Sequence, residues 1–146
     1  MLGKIFDCGD LYLSQTDYQP GAQNIRLTLS SGNGVQAACT SDGWTVIQSR
    51  GQFGNPVDYF LRNWTQYVEG FGIPGKRWKS FKCSSNNVLN IPLHIEGEEY
   101  WMGLDNMYHL TQLGAYSLRL KLEDLDGVVE EINYEKFKLS DQVNIR

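Results

Sequence analysis

The sequence predicts an α+β domain: a mainly antiparallel, twisted sheet flanked by short helices. Two hairpin signatures and one capped helix carry that prediction. In the first hairpin, Val35, Ala37 and Cys39 alternate with Gln36 and Ala38, then Thr40-Ser41-Asp42-Gly43 supplies turn residues, then Trp44 to Ile47 runs apolar and β-branched. In the second, Tyr116, Leu118, Leu120 and Leu122 alternate with Ser117, Arg119, Lys121 and Glu123, and Asp124-Leu125-Asp126-Gly127 turns the chain back along Val128 to Leu139. Between them, Phe60, Trp64, Tyr67, Val68 and Phe71 recur at helical spacing.

Taken in order, residues 1–6 read as an N-terminal tail. They are too short and too broken for a signal peptide, so either a leader was removed or this is an internal piece with a start Met. Asp7 to Tyr18 is polar-rich and weakly amphipathic. The first hairpin places Cys39 on a strand. Trp44 to Arg50 reads as a strand buried on both faces in mid-sheet, closed by Arg50-Gly51. Gly51 to Pro56 is a loop. Asn63 stands at the N-cap of the helix with Gln66 three residues on, the pattern of a capping box, and Gly70 and Gly72 end it. Residues 76–98 change character, with Cys83, Ser84-Ser85, Asn86-Asn87, Pro92 and His94, and read as an inserted loop. Glu99 to Met102 resumes a strand, and Leu104 to Leu110 forms a short helix with Asp105 or Asn106 at its cap. The Leu face of the last hairpin needs cover, and the two helices are the elements available for it.

With 146 residues the chain suits one domain, 1–146, with one core. Its net charge of −4 argues against nucleic acid as a partner and against a polybasic membrane patch. No stretch approaches the ~18 apolar residues of a membrane-spanning helix, so membrane insertion is not expected. The three cysteines cannot all pair internally. A Cys8–Cys39 bridge and three buried free thiols both fit the spacing. Cys83 is left unpaired or intermolecular, which keeps an oligomer open. With no CxxC pair and two His, no metal site is indicated.

Each remaining candidate has a plain alternative. Asn63-Trp64-Thr65 is a glycosylation sequon, and Asn63 is equally an ordinary helix cap. Glu123 to Gly127 holds three carboxylates but lacks calcium-loop spacing, and Asp with Gly is what a hairpin turn demands. Glu96, Glu98 and Glu99 read as a solvated charge run. His109 reads as a packing residue. Trp44, Trp64 and Trp101 fall on core-facing patterns, leaving Trp78 as an exposed ring. Nucleophile motifs and nucleotide-binding glycine loops are absent, so no catalytic residues and no enzyme are expected.

Five stretches together resemble the fibrinogen-related (fibrinogen C-terminal-like) domain family. They are Asp7 to Tyr12, Gly43 to Arg50, Arg62-Asn63-Trp64 through Gly72, Tyr100 to Asn106, and Leu118 to Asp124 with Gly127 behind it. Gly51 to Pro56 looks most like the tachylectin-like and ficolin-like branch. The resemblance implies an extracellular, secreted protein in which Cys8 pairs with Cys39 and the Asn63 sequon is usable. It implies glycans or cell-surface and extracellular proteins as partners. Many members are innate-immunity lectins that bind acetylated sugars with calcium nearby; others are receptor ligands or clotting proteins. Two departures stand out. Residues 76–98 interrupt the pattern, as a lineage-specific loop or an unspliced piece of transcript. The chain also stops at Arg146, before the calcium loop, second disulfide and acetyl pocket that the resemblance implies, so only the first two subdomains are expected and no cofactor within this chain. The leading expectation is a lectin-like recognition protein without its sugar and calcium site. The alternatives are an interaction module using the sheet face or inserted loop, or a gene-model fragment without function of its own.

Overall fold

The computed structural model describes residues 4–14, 23–51, 55–74 and 99–141. Eleven elements follow in order: α1 (Cys8–Ser14), β1 (Gln23–Thr28), β2 (Gly34–Cys39), β3 (Thr45–Val46), β4 (Gln48–Ser49), α2 (Trp64–Glu69), β5 (Phe71–Gly72), β6 (Tyr100–Trp101), α3 (Leu104–Thr111), β7 (Tyr116–Glu123) and β8 (Val129–Phe137). The strands are antiparallel, as expected, but they form three small sheets, ordered β1-β2-β3, β4-β6-β5 and β7-β8. Residues 76–98, with Cys83, Trp78, His94, Glu96 and Glu98, lie outside the described residues.

The first hairpin forms as its turn residues require. Thr40 Oγ1 accepts the Trp44 N–H at 2.9 Å and donates to Asp42 Oδ1 at 2.6 Å, while Gly43 takes φ of 86°. Strand β1 has little local signal in the sequence. Its signal is short: Ile25 and Leu27 alternate around Arg26, and Leu27 is fully buried.

The run after the turn corrects the expectation of one doubly buried strand. It divides at Ile47. β3 pairs with β2, setting Ala38 opposite Val46 and Cys39 opposite Thr45. β4 pairs with β6, setting Gln48 opposite Trp101 and Ser49 opposite Tyr100. Between them the Ile47 carbonyl accepts the Met102 N–H at 2.9 Å. Because the run changes partner midway, Trp44 to Ile47 are only half-buried.

The capping box is present. Asn63 Oδ1 accepts the Gln66 N–H at 2.9 Å, and Gln66 Oε1 accepts the Asn63 backbone N–H at 3.1 Å. The helix is only six residues long, however, and buries none of them. Tyr67 packs edge-on to Trp101 and Phe71, and Trp101 Nε1 donates to the Tyr67 carbonyl at 2.8 Å. Trp64, expected in the core, is 64% exposed: it opens a helix of only six residues, none of which is buried. Helix α3 is also capped differently from expectation. Its N-cap is Gly103, with no side-chain cap, and Asn106 Nδ2 donates back to the Met102 carbonyl at 2.8 Å. Gly103 (φ 96°) and Gly70 (φ 97°) let two backbones meet: a Cβ at Gly103 would stand 2.6 Å from the Glu69 oxygen, and one at Gly70 2.6 Å from the Met102 oxygen.

The core is Leu27, Leu29, Ala37, Tyr100, Met102, Met107 and Leu110, drawn from β1, β2, β6 and α3 and their margins. Ile5 packs against it, and its carbonyl accepts the Thr28 N–H at 2.8 Å. Cys8 and Cys39 form a disulfide with Cα atoms 5.4 Å apart, which fastens α1 to β2. The bridge spans 31 positions, and restraining the unfolded chain over that distance contributes about 3–4 kcal/mol on the chain-entropy model. Replacing both cysteines by Ala is therefore expected to lower the denaturant-unfolding free energy by about that amount; an unchanged midpoint counts against the bridge as a stabilising element.

Candidate functional site

The β7–β8 hairpin has two chemically different faces. Pairing sets Leu118 opposite Tyr134 and Leu120 opposite Ile132, so these residues share one side. Arg119, opposite Asn133, and Lys121, opposite Glu131, share the other. The turn is built by Asp124, whose Oδ1 accepts the N–H groups of Asp126 (2.9 Å) and Val128 (2.8 Å), with Gly127 at φ 79°. Asp124 therefore serves the turn.

The polar face holds the hairpin to the rest of the domain. Arg119 Nη1 donates to Asp42 Oδ2 at 2.9 Å, and its guanidinium lies 4.2 Å from the centre of the Trp44 ring. Glu131 Oε1 stands 3.9 Å from the same nitrogen. The Arg119 hydrogen bond, seconded by that of Thr40, lowers the Asp42 carboxyl from 3.8 to about 2. At the base of the hairpin, Tyr116 OH donates to Asp7 Oδ2 at 2.9 Å. Desolvation, then this hydrogen bond, pushes the Tyr116 hydroxyl upward. Leu139 N–H donates to Thr111 Oγ1 at 3.2 Å, and its carbonyl accepts from Gln112 Nε2 at 3.1 Å, which anchors the returning chain on α3.

The apolar face is covered only at its root. Tyr116 packs against the core and Leu118 is half-buried, but Leu120, Leu122, Ile132 and Tyr134 are exposed, Leu122 by 57%. The helices do not cover it, contrary to expectation. α3 spends Met107, Leu110 and Thr111 on the core, and α2 packs through Tyr67 against Trp101 and Phe71. The exposed ring of Trp64 on α2 does not reach the hairpin face either, since Leu120, Leu122, Ile132 and Tyr134 stay exposed. A row of aliphatic side chains on one face of a two-stranded sheet is an unusual surface to leave in water.

Other sequence candidates fall elsewhere. His109 Nδ1 and Ser30 Oγ are 3.0 Å apart, and its ring meets Tyr108 edge-on, so this histidine joins α3 to the β1–β2 turn. Glu99 is buried at the entrance of β6. Asn63 stands at the start of α2, remote in sequence from the hairpin. Among the described residues no three His, Cys, Asp or Glu side chains are placed to hold a metal ion. No helix among them is long and apolar enough to cross a membrane. Sequence reasoning missed the contact of Arg119 with Asp42 and Trp44. The 77 positions between Arg119 and Asp42 leave no local signal, although each residue stands inside a recognised hairpin.

Among the described residues the framework is one of short antiparallel hairpins, the Cys8–Cys39 disulfide and an exposed apolar face. The chain belongs to the family of the C-terminal globular domain of fibrinogen beta and gamma chains, whose model matches residues 7–145. Members of that family are recognition or binding modules. Over 100 residues the chain is 32% identical to Techylectin-5A of Tachypleus tridentatus, covering 68% of this chain and 27% of that protein. Over 97 residues it is 37% identical to human (Homo sapiens) Angiopoietin-related protein 2, covering 66% of this chain and 15% of that protein. The solved fibrinogen-like globe domain of human ANGPTL2 superposes with a TM-score of 0.69 at 28% identity, over 95% of this chain and 54% of that one. The chain thus spans well under half the length of these two curated relatives and about half of the solved domain.

Asp42 is more than half exposed, so its pairing with Arg119 is worth less than ~1 kcal/mol. Its folded pKa is depressed, so that contribution is present above the ordinary carboxylate value of 3.8 and lost as the pH falls through about 2. A carboxyl titration by NMR is expected to place the Asp42 midpoint near 2 and to return it towards 3.8 in Arg119→Ala. A midpoint unmoved by that substitution argues against the contact.

Proposed function

We propose that this chain is an extracellular recognition module that binds a protein partner through the outer face of β7–β8. One observation carries the reading: Leu120, Leu122, Ile132 and Tyr134 stand exposed together on a hairpin whose other face is already tied down by Arg119. Leu120, Leu122 and Ile132 offer no hydrogen bonds to sugar hydroxyls, and with the Tyr134 ring beside them they match the apolar centre of a protein interface. The rim specifies the partner further. Glu123, Asp124, Asp126 and Glu130 are all exposed around the turn end, while Glu131 faces Arg119 and Lys121 on the polar side. The complementary surface is apolar at its centre and carries Lys or Arg at its edge. An extracellular setting is supported by the Cys8–Cys39 bridge, since such bonds persist in oxidising compartments.

The lectin reading is the second one, favoured by the identity with Techylectin-5A and by the resemblance of Gly51 to Pro56 to that branch. For these 146 residues we propose that it does not extend to calcium-dependent binding of acetylated sugars. The residues that the resemblance assigns to that chemistry are not among them.

Two measurements test the proposal. Proteins captured from extracellular fluid by the wild-type chain are identified, and the affinity of each is remeasured with a Leu120→Asp/Ile132→Asp variant and with a chain lacking residues 76–98. The double variant is expected to lose roughly tenfold or more in affinity, about 1.4 kcal/mol, while keeping its melting transition, because both side chains are exposed. Undiminished binding by that variant, or loss confined to the deletion, moves the interface away from the hairpin. Separately, passage over an N-acetylglucosamine resin with calcium is expected to retain nothing; retention released by a chelator restores the lectin site.

A further inference from the structure

We propose that Asn63 is an N-glycosylation site in which one side chain does two jobs: its amide oxygen caps α2 and its amide nitrogen carries the sugar. The inference rests on the extracellular reading above. Asn63-Trp64-Thr65 is the only Asn-X-Ser/Thr triplet in the chain. All three residues are exposed. The capping box uses only part of the asparagine. Oδ1 accepts the Gln66 N–H and the backbone N–H of Asn63 is taken by Gln66 Oε1, whereas Nδ2 makes no hydrogen bond among the described residues. Substitution on Nδ2 therefore leaves the cap intact, so the folded helix and the modified side chain are compatible.

A second, independent observation concerns the surroundings. Val57 is fully exposed, Leu61 is 82% exposed and Trp64 is 64% exposed, all within six positions of Asn63. These exposed apolar side chains fall in one short stretch of sequence around Asn63, a different segment from the β7–β8 face. A bulky hydrated substituent on Nδ2 would shield them from solvent and from other chains.

The chemistry balances without any redox step. Nδ2 attacks the anomeric carbon of an oligosaccharide carried on a lipid diphosphate. The new N–C bond forms as the carbon–oxygen bond to the diphosphate breaks. The lipid diphosphate departs with that electron pair, and Nδ2 gives up one proton. A glycosyltransferase of the secretory lumen supplies the catalysis and the donor.

The test is export of the full chain from eukaryotic cells under a supplied leader, followed by peptide mass spectrometry with and without an amidase that converts a glycosylated Asn to Asp. Wild type and Thr65→Ser are expected to carry sugar at position 63; Thr65→Ala and Asn63→Asp are expected to carry none. Asn63→Asp retains an acceptor for the Gln66 N–H, so loss of the cap does not confound it. The two bare variants are also expected to bind more of a hydrophobic dye than wild type, and Trp64→Ser is expected to reduce that excess. Exported wild type with Cys8–Cys39 oxidised and Asn63 unmodified overturns the site while leaving the extracellular reading standing. Because the leader is supplied, the native protein's own location is tested separately, by where it accumulates in its source tissue.

Discussion

The fold turns on five residues, Thr45 to Ser49, that belong to two sheets in succession. Thr45 and Val46 complete the β1-β2-β3 sheet; Gln48 and Ser49 begin the β4-β6-β5 sheet; the Ile47 carbonyl joins the second at Met102. A backbone hydrogen bond left unmade in a partly buried setting costs more than a made one gains, so this short run fixes the order of everything around it. The disulfide acts on the same region from the other side, since Cys39 faces Thr45 across β2 and β3 and Thr45 Oγ1 accepts the Cys8 N–H at 3.0 Å. The two glycines at positions 70 and 103 then let the end of α2 and the start of α3 meet at backbone contact.

This economy of small sheets explains the surface that remains. Two short helices cannot both complete the core and cover a long hairpin. The core takes α3, the aromatic side of α2 takes Trp101, and β7–β8 is left to be held by its polar face. Stacking Arg119 on Trp44 while pairing it with Asp42 orients the hairpin and turns its aliphatic row outward. The family's use of this scaffold for recognition is consistent with such a division of labour, in which one surface is committed to architecture and another stays available. The apolar group beside Asn63 is a separate matter, and a covalent sugar is a different solution to the same problem of exposed apolar area.

The parts legible in the sequence were those with a local physical cause. The turns at 40–43 and 124–127 were legible because Thr, Asp and Gly satisfy their own backbone within a few positions. The capping box at Asn63 and Gln66 was legible for the same reason. Strand β1 escaped because its alternation is brief, with Ile25 and Leu27 set around Arg26, even though Pro20-Gly21 stands before it. Trp64 was misplaced because helical spacing identifies one face without saying how long the helix is, and six residues do not carry that face far enough to bury its first ring. The motif at Trp44 to Arg50 identified the scaffold correctly but not its arrangement, since apolar β-branched residues look alike in one buried strand and in two short half-buried ones.

By itself, then, the sequence determined the fold class, the hairpin turns, the helix cap and, through its likeness to a family, the pairing of Cys8 with Cys39. Tertiary structure decided which strand pairs with which, where the run at Ile47 divides, and which face of β7–β8 meets water. The reason is the range of the forces involved. Turns and caps are closed by neighbours along the chain, whereas the outward face of the hairpin is set by an arginine, a tryptophan and an aspartate that meet only after the chain has folded.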